Sequence, residues 1–193
     1  MISRREFLRG GAVAGLASTL PAGQVIAASE SRPSVAFDAV CDTRYEEGDL
    51  FLRSVSDSAY RVHGLEIDPG SIMPVISAAV ADRHPIAGLT TDAALLLAEQ
   101  LATAEGYQLT YKGTHKHVST NQVEHELLLD KEWYHNIQAP LTDAGSTWPE
   151  IIAKLVPTLI TDKAGVQTQK ISSSGQRNLD SPGHLVSWIL RPA

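Results

Sequence analysis

From Pro33 onward the chain alternates short apolar blocks with polar, acidic or glycine-containing stretches, and the apolar spacing switches between strand-like and helix-like. PSVAFDAVCD is apolar and β-prone, which predicts a strand over about 34–41. The polar DTRYEEGD follows, and Glu46, Glu47 and Asp49 suit a helix's first turn, where carboxylates meet the positive end of the dipole. Leu50, Phe51 and Val55 would be the inward face of that helix. YRVHGLEI reads as a second strand over 60–67, ended by DPG, and SIMPVISAAVADR as a second helix over 71–83, kinked or delayed by Pro74. HPIAGL reads as a short third strand closed by TTD.

AALLLAEQLATAEG is the clearest helix. Thr90 or Thr91 can cap it, Leu95 to Leu97 and Leu101 supply its apolar positions, and Gly106 can end it. YQLTYKG and QVEHELLL are strand-like runs separated by THKHVSTN, which suggests a hairpin. STWPEIIAKLVPTLI predicts a helix with a capping box of Thr147 and Glu150; Pro149 fits its first turn and Pro157 should break or bend it. The polar stretch KAGVQTQKISSSGQRNLDSPG reads as loop or hairpin, and HLVSWILRP as a last buried strand ended by Pro192. This order predicts an α/β single domain: a mainly parallel sheet with helices on both faces and an antiparallel β-hairpin portion.

The N-terminus follows a different pattern. In SRREFLRGG, residues Ser3, Arg4, Arg5, Phe7 and Leu8 match the twin-arginine (Tat) export signal, Ser/Thr-Arg-Arg-x-Phe-Leu-Lys, with Arg9 in place of the lysine. The segment resembles a Tat signal peptide. GGAVAGLASTLPAG behind it is apolar but too short to span a bilayer as a helix. Small residues near VIAAS place cleavage after Ala27 or Ala28. The expected organisation is a cleaved signal over 1–28 and an α/β domain over 29–193. The resemblance implies handling by the Tat translocase, folding before export, periplasmic localisation, no stable membrane anchor after cleavage, and often a cofactor or co-exported partner, neither of which the residues identify. FDAVCDTRY, IAGLTTDAALLLAEQLA and HLVSWILRP resemble stretches of uncharacterised Tat-exported proteins of Gram-negative bacteria, a likeness that carries no activity.

Removing the signal changes the charge. It holds three arginines and one glutamate, so of 16 basic and 22 acidic residues 13 and 21 remain, a net charge of −8. Such a surface disfavours nucleic acid and anionic lipid. The one cysteine, Cys41, excludes an internal disulfide and reads as a small core residue. Trp148 and Trp188 also read as core, whereas Trp133 suits either loop packing or a pocket wall.

In open α/β sheets ligands sit beyond the carboxyl ends of the strands. That rule selects Asp42 and Arg44 after the first strand, Asp68 after the second, and Gly88, Thr90 and Thr91 at the third. Arg44 with the following helix N-terminus suits a carboxylate or phosphate, and Asp42 or Asp68 suits a hydroxyl, an amine or acid–base work. The same residue types also serve ordinary turns and caps. No G-x-G-x-x-G, P-loop, G-x-S-x-G or paired-cysteine motif is present, which argues against the common dinucleotide, nucleotide, serine-hydrolase and haem sites.

His115, His117 and His125 form a second candidate set, for zinc or copper, with Glu124 or Glu126 nearby. His115 and His117 share one face of a strand; His125 joins them if the hairpin turn has three or five residues, and faces away if it has two or four. The leading expectation is an exported protein that binds a small polar or anionic ligand at the strand ends, accessory to an exported oxidoreductase. The alternatives are a hydrolase or isomerase using Asp42 or Asp68, a histidine-hairpin metal protein, and an interaction subunit exported with a partner.

Overall fold

The protein's computed structural model describes residues 35–129, 131–162, 167–177 and 180–193. The signal residues Arg4, Arg5, Phe7 and Leu8, with the cleavage region, lie outside them. Among the described residues seven strands make one sheet: β1 (Asp38–Cys41), β2 (Arg61–Gly64), β3 (Ile86–Thr90), β4 (Tyr107–Ser119), β5 (Gln122–Leu129), β6 (Gln167–Ser174) and β7 (His184–Pro192). The helices are α1 (Glu46–Val55), α2 (Ile72–Ala81), α3 (Asp92–Ala104), α4 (Lys131–Asp143) and α5 (Trp148–Thr161). The strand order is β2-β1-β3-β7-β4-β5-β6.

Helices cover both faces. On one, α1, α4 and α5 bury Phe51, Val55, Ile137, Leu141, Trp148 and Ile152 against the sheet. On the other, α2 and α3 bury Ile72, Ile76, Leu95 and Ala98 against Val40, Ile86 and Trp188. The expected α/β class is observed, but the mainly parallel sheet is not. Only β1 with β2 and β1 with β3 are parallel; β3–β7, β7–β4, β4–β5 and β5–β6 are antiparallel.

Two causes account for the difference. The run ending in Pro192 is buried on both faces along most of its length, and a doubly buried strand reads the same in either direction. It enters between β3 and β4 against both. The second cause is α4, a helix absent from the order of elements expected from the sequence. One helix after β5 would carry the chain across the sheet to begin a parallel neighbour. Two successive helices, α4 and α5, return it to the edge it left, so β6 pairs antiparallel with β5, Leu129 opposite Gln167.

Local expectations also shift. Pro157 sits inside α5 without ending it, and Pro140 sits inside α4. Thr147 precedes α5 but makes no capping bond; its hydroxyl donates to the Ala144 carbonyl at 2.8 Å. Trp148 and Trp188 are buried. Trp133 donates from Nε1 to Asp162 Oδ2 at 2.9 Å, tying α4 to the end of α5. Cys41 is a buried free thiol whose ionisation burial pushes far up, as an inert core residue requires.

Candidate functional site

β4 runs in the same sense as β3, because each is antiparallel to the β7 between them. The carboxyl ends of β1, β2, β3 and β4 therefore share one edge of the sheet. The chain leaves β1 toward β2 on one side, whereas β3 lies on the other, so the gap between β1 and β3 is a topological switch point.

The strand-end residues gather at this edge, and most of their polar groups are already hydrogen-bonded within the fold. The buried Asp42 carboxylate accepts from Arg44 Nε at 2.8 Å and Nη2 at 2.6 Å. Arg44 Nη1 also donates to the Ile67 carbonyl at 3.4 Å. Asp68 Oδ1 accepts from the Gly70 amide at 2.6 Å, capping a single 3-10 turn. Thr90 Oγ1 accepts from Trp188 Nε1 at 2.9 Å and donates to the Thr91 carbonyl at 3.1 Å. Gly88 lies under the Trp188 indole, where a Cβ would come 2.8 Å from Nε1. Among the six candidates only Thr91 keeps a buried hydroxyl with no partner. This geometry supports structural roles for Asp42 and Asp68 rather than a free base.

A consequence concerns Arg44→Ala. Its ion pair with Asp42 is asymmetric: the Arg44 side chain is 26 % exposed and that of Asp42 fully buried. Removing the guanidinium strands a buried carboxylate, so the variant should lose about 2 kcal/mol of stability, less than for a fully buried pair because solvent reaches Arg44. Urea denaturation measures this, and an unchanged midpoint would contradict a holding role for Arg44.

The histidines lie at the same edge on the α1/α5 face. The hairpin turn, Thr120–Asn121, has two residues, which alone would send His125 to the opposite face. A bulge between His117 and Ser119 restores the register, and His115 stands opposite His125. Their Nδ1 atoms are 2.8 Å apart. His115 Nε2 meets Ser187 Oγ at 2.8 Å, His125 Nε2 meets Ser173 Oγ at 2.8 Å, and Tyr111 OH meets Ser187 Oγ at 3.1 Å. The Trp148 ring stacks on His115 with centroids 4.3 Å apart. Burial pushes both imidazoles down, His125 to about 3 and His115 well below the usual range; each also feels a neighbouring histidine. Both are therefore neutral, and one proton lies between the facing nitrogens. All four ring nitrogens are occupied, so His115 and His125 do not offer lone pairs to a metal without breaking this chain. Among the described residues no group of three or more His, Cys, Asp or Glu is arranged to hold one.

His117 is separate from that chain. It lies across from Glu47 of α1, Nε2 to Oε1 at 3.5 Å, with the two side chains 5 % and 9 % exposed. Neither ring nitrogen of His117 has a hydrogen-bond partner, nor has Glu47 Oε2. Desolvation lowers the imidazole's proton affinity and outweighs the opposing pull of Glu47. A cavity of about 20 Å³ opens beside them, lined by Glu46, Glu47, His117, Ser146, Trp148 and Gln176 among others, with room for about one water. His117 was marked by its alternation with His115; Glu47 read only as a helix-dipole carboxylate, and no local signal pairs residues 70 apart in the chain.

A family model described as the TAT (twin-arginine translocation) pathway signal sequence matches residues 1–21. The chain thus carries a Tat signal, is handled by the Tat translocase and is exported across the cytoplasmic membrane. Comparison with curated proteins and with solved structures gives no match. Among the described residues no helix is long and apolar enough to cross a membrane.

Proposed function

We propose that this exported α/β protein works in the periplasm as a small-ligand-binding protein whose site is the His117–Glu47 pocket. The observation that carries this reading is a pair of buried polar side chains with unspent donor and acceptor atoms beside a cavity. Unpaired polar groups in protein interiors are costly and rare, so a ligand or water that satisfies them is the natural complement. The pocket lies at the sheet edge that topology favours for ligands. Its lining includes Glu46 and Glu47 but no lysine or arginine, so the expected polar or anionic ligand gives way to a polar or cationic one. The strand-end set around Asp42, Arg44, Asp68, Gly88, Thr90 and Thr91 supports it less, because Asp42 and Arg44 pair with each other and Asp68 caps a turn.

A thermal-shift screen of small amines, polyols, carboxylates and metal ions, run on the parent protein and on Glu47→Gln and His117→Gln, tests this reading. The expected result is stabilisation by at least one polar or cationic compound, lost in both variants. Stabilisation only by carboxylates, or shifts equal in all three proteins, would place the site elsewhere.

A further inference from the structure

The cavity beside α1 combines one imidazole and one carboxylate in a geometry that hydrogen bonding does not explain. We propose that His117 Nε2 and Glu47 Oε1 are the two protein ligands of a divalent transition-metal ion of the zinc and copper class, with water completing the coordination. This inference rests on the reading of the same pocket as the ligand site.

The spacing comes first. Two N/O donors about 2.0–2.2 Å from one ion at the tetrahedral angle lie roughly 3.4 Å apart. The observed separation is 3.5 Å, and His117 Nε2 has no well-formed hydrogen bond. An ion can enter by replacing only the long 3.5 Å contact between the two side chains. The contrast with His115 and His125 is direct, since their ring nitrogens are occupied at 2.8 Å.

Electrostatics points the same way. A buried carboxylate with an unsatisfied oxygen, here Glu47 Oε2, is expensive, and a cation held by the same carboxylate at Oε1 lowers that cost. Glu46 adds a second acidic residue to the lining, which contains no lysine or arginine. The donor types then choose among cations: a neutral imidazole with a carboxylate suits zinc and copper, whereas calcium and magnesium prefer oxygen alone. The cavity of about 20 Å³ has room for about one water-sized occupant beside the two side chains, and Ser146 and Gln176 border it. Two protein ligands leave open positions, so the site would hold its metal weakly and keep it accessible.

The test uses the untagged full-length protein with Cu²⁺ and Zn²⁺ as probes. Isothermal titration should give one site per chain, and the electron paramagnetic resonance of the Cu²⁺ form should show coupling to one imidazole nitrogen. Losing a ligand should weaken binding at least by the roughly tenfold that loss of an outer-shell partner costs; His117→Gln and Glu47→Gln should each show this. The half-buried His184, paired with Asp92 at 2.9 Å, is the control, and His184→Ala should bind like the parent. The inference is overturned if no site forms, if binding follows His184 instead, or if the copper spectrum of the parent lacks nitrogen coupling. The last readout needs no variant, so it stands even if a substituted chain fails to fold. Should metals fail while organic amines still stabilise the parent and not Glu47→Gln, only the metal assignment falls. Should both fail, the pocket reading falls with it.

Discussion

Replacing Gly48 with alanine should destabilise the protein by about 3 kcal/mol, the upper end of the usual cost of overpacking. On helix propensity alone the change would help, since alanine is favoured over glycine by about 1 kcal/mol in a helix interior. Tertiary packing reverses the sign. Gly48 sits in the first turn of α1 and is buried over the end of β1. A Cβ there would overlap the Asp42 carbonyl oxygen and lie 2.6 Å from the carbonyl carbon. The obstacle is backbone, so no rotamer change relieves it and α1 must move away from the sheet. That movement carries Glu47 away from His117, so ligand or metal binding at the pocket should weaken as well. Denaturant unfolding of Gly48→Ala provides the measurement; a variant as stable as the parent would show that α1 can shift freely.

Acid should destabilise the fold strongly between pH 7 and pH 5. The folded state holds His125 at about 3, whereas an unfolded chain returns it to about 6.5. Below about 6.5 the unfolded state therefore binds the extra proton, and stability falls as pH falls, down to the folded value. For His125 alone the loss from pH 7 to pH 5 is about 2 kcal/mol. His115 is shifted in the same direction by burial, which adds to the loss, and His125 alone already removes a sizeable share of the 5–15 kcal/mol typical of a whole domain. The surroundings explain the shift. His115 on β4 and Ser173 on β6 bond to the His125 ring, Trp148 on α5 packs at 5.3 Å between ring centroids, and His117 adds a second imidazole nearby. No carboxylate hydrogen-bonds to either ring to repay the charge. Urea midpoints from pH 8 to pH 5 should show the decline, and imidazole nitrogen shifts should show both rings neutral throughout. A flat stability profile over that range would refute the buried neutral pair.

The candidate site divides along the same line. His117 was visible as one of two alternating histidines on a strand, because a strand's side-chain period of two is local information. Glu47 was visible only as a first-turn carboxylate of α1. Their approach to 3.5 Å depends on α1 lying over the end of β4, which requires β7 to have entered the sheet between β3 and β4. Asp42 and Arg44 show the opposite failure. Their residue types at a strand end suggested a binding pair, yet two residues apart they close on each other at 2.6 and 2.8 Å. His125 reached the face of His115 by a bulge, and no turn length counted from residue types contains that extra residue.

By itself the sequence determined the export route, through the twin-arginine motif, and most of the elements, through apolar spacing, caps and glycines. It determined that Cys41, Trp148 and Trp188 belong to the core, since large apolar side chains and a lone thiol within apolar runs have nowhere better to go. Strand direction was decided only by the tertiary structure, because a run buried on both faces carries no mark of which way it points, and because a second helix after β5 reverses where the next strand begins. The same level decided which polar groups would be satisfied. Hydrogen bonding is settled between residues distant in the chain, as Thr90 with Trp188 and His115 with Ser187. Among the side chains it left with unpaired atoms, His117 and Glu47 at the carboxyl edge carry the proposed site.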